Sequence, residues 1–162
     1  MQQSLLPQEK VRLEDFDVAG AFRPSRSVGG DFYDWYQTPD GVHLTFADAM
    51  GKGMGAALIA ATVRAVMRSV ADTPAIDAAF GSASATIASD LDQSGSFVTM
   101  FHARLDIASG KLSYIDAGHG LGLYVPAEGS THRLVSAGPP VGILEGQPGP
   151  RPSSSSSRVT RW

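Results

Sequence analysis

Asp31 and Asp48 lie in two short runs, Val28 to Trp35 (VGGDFYDW) and Phe46 to Gly55 (FADAMGKGMG), on either side of a turn. Between them stands Tyr36-Gln37-Thr38-Pro39-Asp40-Gly41. Pro-Asp-Gly between apolar-aromatic runs is a turn signal: proline presets φ at the first central position, and glycine takes the positive φ that closes the turn. The flanking runs then pair as an antiparallel hairpin. With Pro39 and Asp40 as the loop, 38 faces 41, partners sum to 79, and Asp31 faces Asp48. A three-residue loop with a glycine bulge shifts the register by one and leaves the two aspartates neighbours.

Directly opposed side chains lie about 5 Å apart at Cβ, where like charges destabilise a sheet. At an effective dielectric near 20 the repulsion is about 3 kcal/mol. Two readings follow. A divalent cation held between the carboxylates removes the repulsion, or the strands fray early and both aspartates are solvated strand-end residues. Asp34 falls on the opposite strand face from Asp31. It is expected to support the site from behind or to be solvated.

These residues need a scaffold. Phe16 to Arg23 reads as a short strand, and Met1 to Pro7 as the last turn of a helix stopped by proline. Met54 to Val70 is apolar almost all round, with Arg64 and Arg68 on one face, and predicts a mostly buried helix. Ile76 to Leu91 predicts a second. From Phe97 the period changes to two: Phe97, Thr99, Phe101, Ala103 and Leu105 share one face, and Val98, Met100, His102 and Arg104 the other. Ser109-Gly110 turns this strand into Lys111 to Ala117, followed by a loop at Gly118 to Gly122 and short strands at 123–125 and 133–135. Strands, two helices and more strands predict an α+β domain with antiparallel sheets.

The 162 residues are 43% hydrophobic and carry a net charge of −3. That is enough apolar content for one core and too acidic a balance for generic nucleic-acid binding. Absence of cysteine excludes disulfides, zinc-thiolate sites and a phosphocysteine mechanism. No apolar run is long enough to cross a bilayer, and no signal peptide opens the chain. The expectation is a cytoplasmic protein.

Gly51-Lys52-Gly53 precedes a helix, but a nucleotide P-loop has four residues between its glycines and a hydroxyl after the lysine, so that match fails. A tight strand-to-helix turn is the commoner role, with phosphate binding at the helix N-terminus the other. His43, His102 and His132 lie on strands or strand ends, where solvent-facing positions are expected. His119, in Ala117-Gly118-His119-Gly120, is the one histidine flanked by glycines and is weighed for the site on that ground. No serine stands in a nucleophile-elbow context.

Taken together, QQSLLP, FRPSRSVGGDFYDW, FADAMGKGMGAAL, FVTMFHARLDIASGKLSYIDAGHG and AGPPVGILEG resemble the PPM family of metal-dependent protein serine/threonine phosphatases, in its bacterial SpoIIE/RsbU branch. The matching segments run in order over residues 1–146. The resemblance implies an antiparallel two-sheet β-sandwich flanked by helices. It implies a binuclear Mn²⁺ or Mg²⁺ centre that activates a water for in-line attack on phosphoserine or phosphothreonine. The family's bridging ligand falls on Asp48, the backbone carbonyl after it on Ala49, and the GGD aspartate on Asp31. Hard oxygen ligands suit those cations. The implied partners are a phosphorylated substrate of the anti-anti-sigma-factor kind and an upstream sensory domain acting through the helix from Met54, with no nucleic acid and no membrane.

The tail departs from this pattern. Residues 147–162 are rich in proline, serine and arginine, are expected to be disordered, and do not resemble the family, whose further strands carry two more aspartates. No acidic residue follows Glu145, so an incomplete domain with impaired hydrolysis is expected. The alternative is a non-catalytic binding module that keeps the phosphatase surface.

Overall fold

The structure, a computed structural model, describes residues 6–7, 11, 13–23, 28–39, 41–143 and 153–158, the last six by their backbone. Strands β1 (Asp31–Thr38) and β2 (Gly41–Ala49) lead into helices α1 (Met54–Ser69) and α2 (Ile76–Ser94). Strands β3 (Val98–Asp106), β4 (Lys111–Ala117), β5 (Leu123–Tyr124), β6 (His132–Arg133) and β7 (Ser153–Arg158) follow. The main sheet has the order β1-β2-β3-β4-β7, and β5-β6 form a second, two-stranded sheet. All these pairings are antiparallel.

Period-two alternation gives the main sheet two different faces. Phe32, Ala47, Val98, Met100 and Ile115 pack with Ala60, Val63, Met67, Phe80 and Ile87 of the helices. On the other face Phe101, Ala103 and Tyr114 meet Tyr124 from the small sheet and Leu134 just after it. Helices, main sheet and partial second sheet form the expected α+β arrangement. Phe101 and Tyr114 stack with centroids 5.5 Å apart.

The β1–β2 hairpin has the expected register, with Thr38 opposite Gly41 and Asp31 opposite Asp48. Gly41 serves for a different reason than expected. It is not among the positive-φ glycines. Instead, a Cβ there would lie 2.1 Å from the Leu105 carbonyl oxygen, so β2 needs glycine to lie against β3. Gly51 and Gly53 do take positive φ and turn β2 into α1.

Other expectations are corrected. Helix α1 buries one face only, through Ala56, Ala60, Val63 and Met67, while Met54 and Leu58 are exposed. Its alanine content suits close approach on either side, so composition did not reveal which side is covered. Residues 16–23 form no strand; Phe16 instead plugs a small cluster with Val42 and Leu105. The expected helix end at 1–7 lies mostly outside the described residues. Within the tail expected to be disordered, Ser153–Arg158 forms β7 against β4, Lys111 opposite Arg158 and Leu112 opposite Ser157. Pairing uses backbone groups and is indifferent to serine side chains, and β4 would otherwise present an unpaired edge. The remainder of 147–162 lies outside the described residues.

Candidate metal centre

Asp31 opens β1 and Asp48 stands directly across from it near the end of β2, both exposed. Burial, then the charge of Asp31, then a side-chain hydrogen bond to Asp31 push the Asp48 carboxyl above its ordinary range, while His119 pulls it down. A cation held between the two carboxylates would relieve that repulsion.

The next backbone group is closely packed. Ala49 is fully buried and its N–H donates to the Gly30 carbonyl at 3.2 Å. A Cβ on Gly30 would lie 2.2 Å from the Ala49 carbonyl oxygen. Glycine therefore lets β1 enter the pairing beside this carbonyl, which a larger residue would obstruct. Two carboxylates and a carbonyl form an all-oxygen donor set that fits a hard divalent cation. Among the described residues, no group of three or more His, Cys, Asp and Glu side chains converges on a metal position.

The row extends beyond the residues singled out from sequence. Thr99 of β3 is directly opposite Asp48. Its Oγ1 is 3.2 Å from His119 Nδ1, which brings His119 to the site. The loop carrying His119 is tied down by Asp116, which is fully buried. Its Oδ1 accepts the His119 N–H at 2.8 Å, and its two oxygens accept the Gly120 N–H at 3.0 and 2.9 Å. Thr99 follows from the strand alternation once the β2–β3 register is known, and that register joins strands separated by two helices. Asp116 carried a local signal, since an aspartate just before a glycine-rich loop commonly caps its backbone N–H groups.

Asp34 lies on the helix side, as the alternation requires, and is buried rather than solvated. Arg68 donates from Nε to its Oδ2 at 2.6 Å and from a terminal nitrogen to its Oδ1 at 2.8 Å. Arg64 Nε lies 3.3 Å from the same Oδ2. The pair of arginines foreseen on one face of α1 thus fastens that helix to β1.

His43 and His102 correct the expectation of solvent-facing histidines, being 3% and 1% exposed. Their strand face is the one the helices cover. His102 Nδ1 lies 2.9 Å from Thr45 Oγ1, and His43 stacks on Tyr36 at 4.9 Å. His132 is exposed as expected.

The family model of Stage II sporulation protein E (SpoIIE) matches residues 38–155, most of the chain. The chain belongs to the SpoIIE family. That match takes in Asp48 and Ala49 and begins after Asp31. Among curated relatives, it is similar to Protein IcfG of Synechocystis sp., at 30% identity over 89% of this chain and 27% of that protein. It is also similar to Phosphoserine phosphatase RsbU of Bacillus subtilis, at 27% identity over 90% of this chain and 44% of that protein. The chain thus spans less than half the length of either. Its fold is similar to part of the structure of the RsbU and RsbW domains of Rv1364c from Mycobacterium tuberculosis, at TM-score 0.69, 23% identity and coverage of 85% of this chain and 38% of that one. RsbX in complex with magnesium gives TM-score 0.64 at 11% identity, over 85% and 67% of the two chains. The PP2C phosphatase domain of SpoIIE from Bacillus subtilis gives 0.63 at 15%, over 81% and 38%. No helix among the described residues is long and apolar enough to cross a membrane.

Proposed function

We propose that this chain is a metal-dependent protein serine/threonine phosphatase domain that acts on phosphoserine or phosphothreonine of a regulatory protein. The observation that carries this reading is the Asp31–Asp48 pair, opposed in register beside the Ala49 carbonyl in a SpoIIE-family fold. Asp31 and Asp48 are the proposed catalytic and metal-ligating side chains, with the carbonyl of Ala49 completing the set. Mn²⁺ or Mg²⁺ is the proposed cation; the similar RsbX was solved with magnesium. When bound, such a cation supplies Lewis-acid polarisation of a phosphoryl oxygen and a water nucleophile at neutral pH. The chain's own residues hold the charge and the geometry: paired strands set Asp31 opposite Asp48, and Gly30 lets β1 lie against the Ala49 carbonyl.

The relative RsbU is a phosphoserine phosphatase, and the proposed substrate is a phosphorylated protein of the anti-anti-sigma-factor kind. Regulation by an upstream sensory domain and a cytoplasmic site of action belong to the same reading. Two carboxylates and one carbonyl are a small donor set, and for these residues by themselves we expect weak metal retention and slow turnover. The lack of a third converging ligand among the described residues also favours a second reading, a binding module that keeps the phosphatase surface.

Phosphate release from a phosphoserine peptide, measured with and without Mn²⁺, separates the two. Slow release abolished by EDTA and by Asp48→Asn supports the enzyme. No release, together with partner binding indifferent to EDTA and to Asp31→Asn, supports the module.

A further inference from the structure

Beyond the aspartates, we propose that His119 is a substrate-contacting residue whose Nε2 donates a hydrogen bond to a phosphoryl oxygen of the phosphoserine or phosphothreonine substrate. This inference rests on the phosphatase reading and adds a protein donor to a site otherwise made of oxygen acceptors.

The geometry places Asp31, Asp48 and Thr99 side by side on three adjacent strands, with His119 bonded to the last. The chain returns to this row because Gly118 forms a parallel bridge with Met100, the residue after Thr99. Gly118 takes a φ of 72°, and a Cβ there would lie 2.5 Å from Pro140, so the approach is closely constrained. Gly120, on the other side of His119, has a φ of 67°. The buried Asp116 carboxylate then accepts the N–H groups of both His119 and Gly120. The Ser136 hydroxyl donates to the Asp116 carbonyl at 3.0 Å. A loop held at so many points fixes the position of the one side chain it offers to the sheet.

That side chain can present a donor to the site. A neutral imidazole has one donor nitrogen and one acceptor. The Thr99 contact fits either tautomer; in the proposed one Nδ1 accepts from the hydroxyl and Nε2 carries the proton. The ring is half-buried and near enough to Asp48 to affect its carboxyl. Two carboxylates repel a phosphate dianion, so a rigid N–H donor beside them is the complementary group a phosphomonoester requires.

The test uses the whole chain in saturating Mn²⁺, with inorganic phosphate as the calorimetric probe and a phosphoserine peptide as substrate. His119→Ala is expected to weaken phosphate binding and lower kcat/KM by about tenfold to a hundredfold, the usual worth of a hydrogen bond to a charged group. Mn²⁺ affinity and melting temperature should remain at wild-type values. Glutamine places an amide N–H near the position of Nε2, whereas asparagine reproduces only the Nδ1 end. His119→Gln should therefore recover most of the loss and His119→Asn should not.

Phosphate affinity unchanged in His119→Ala, or full recovery by His119→Asn, would overturn the proposal and leave His119 with the Thr99 contact alone. Those results leave the phosphatase reading standing if the wild type still hydrolyses the peptide in a Mn²⁺-dependent way. A wild type that neither binds Mn²⁺ nor hydrolyses the peptide overturns both.

Discussion

The two buried histidines show how one residue's environment sets a property of the whole protein. Burial and the Arg104 charge push His43 down to about 4, against the opposing influence of Asp72. Burial and His43 push His102 down to about 3. Both start from an ordinary value near 6.5. Below 6.5 the unfolded chain takes up protons that the folded protein refuses. Their contribution to stability is therefore complete above about pH 6.5 and is lost as pH falls toward 4 and 3. Each contributes at most about 1.4 kcal/mol per pH unit within its window. His43→Phe keeps the stacking on Tyr36 and strands no partner, since neither His43 ring nitrogen has a hydrogen bond among the described residues. Urea unfolding of this variant between pH 6.5 and 4.5 should show a shallower loss of stability than wild type, by about one proton's worth. Parallel pH profiles for the two proteins would refute the assignment.

At the scale of elements, the β1–β2 hairpin was legible because its signal is local: Pro39-Asp40-Gly41 marks the loop, and the register follows from counting. The position of Asp34 away from Asp31 was legible for the same reason, through strand alternation. What its carboxylate meets was not, because Arg64 and Arg68 come from a helix whose docking no local pattern records. The same gap hides the burial of His43 and His102, whose strand periodicity is plain in the sequence while the covered face is not. Thr99 and His119 reach the site through long-range pairing that only the sheet order reveals. The Asp34 clamp yields a prediction of its own. Arg68→Ala leaves a carboxylate that is 3% exposed with only Arg64 beside it. Breaking a buried pair costs about 3–5 kcal/mol, but the Arg68 side chain is 39% exposed and solvent screens it. A loss of about 1–3 kcal/mol is expected in urea unfolding. Arg68→Lys should lose part of that, because an ammonium lacks the planar fork that now engages both Asp34 oxygens. An Arg68→Ala protein as stable as wild type would mean that the Arg68 fork adds nothing to the hold of α1 on β1.

For the molecule as a whole, the cation site and the fold are coupled, because the unfolded chain does not hold Asp31 and Asp48 opposite one another. In the metal-free protein the pair is a local liability. The Asp48 carboxyl, raised by burial and by Asp31, keeps its proton in the folded state at pH values where the unfolded chain has lost it. Its contribution therefore falls as pH rises from 3.8 through the folded value. Asp48→Asn removes one charge and should raise the metal-free melting temperature at pH 7.5. A cation should have the same effect on wild type by binding the folded state. Sites with few charged ligands hold cations at about 10⁻⁴ to 10⁻³ M. At about 10 mM Mn²⁺ a site of 10⁻³ M adds about 1.4 kcal/mol. In a domain of this size that is a rise of about 3–6 °C. Asp48→Asn and Asp31→Asn should each abolish the rise, and His119→Ala should preserve it. A shift that persists in both aspartate variants would locate the cation elsewhere. A rise far above 6 °C would mean that ligands beyond Asp31, Asp48 and Ala49 hold it, and would remove the expectation of slow turnover.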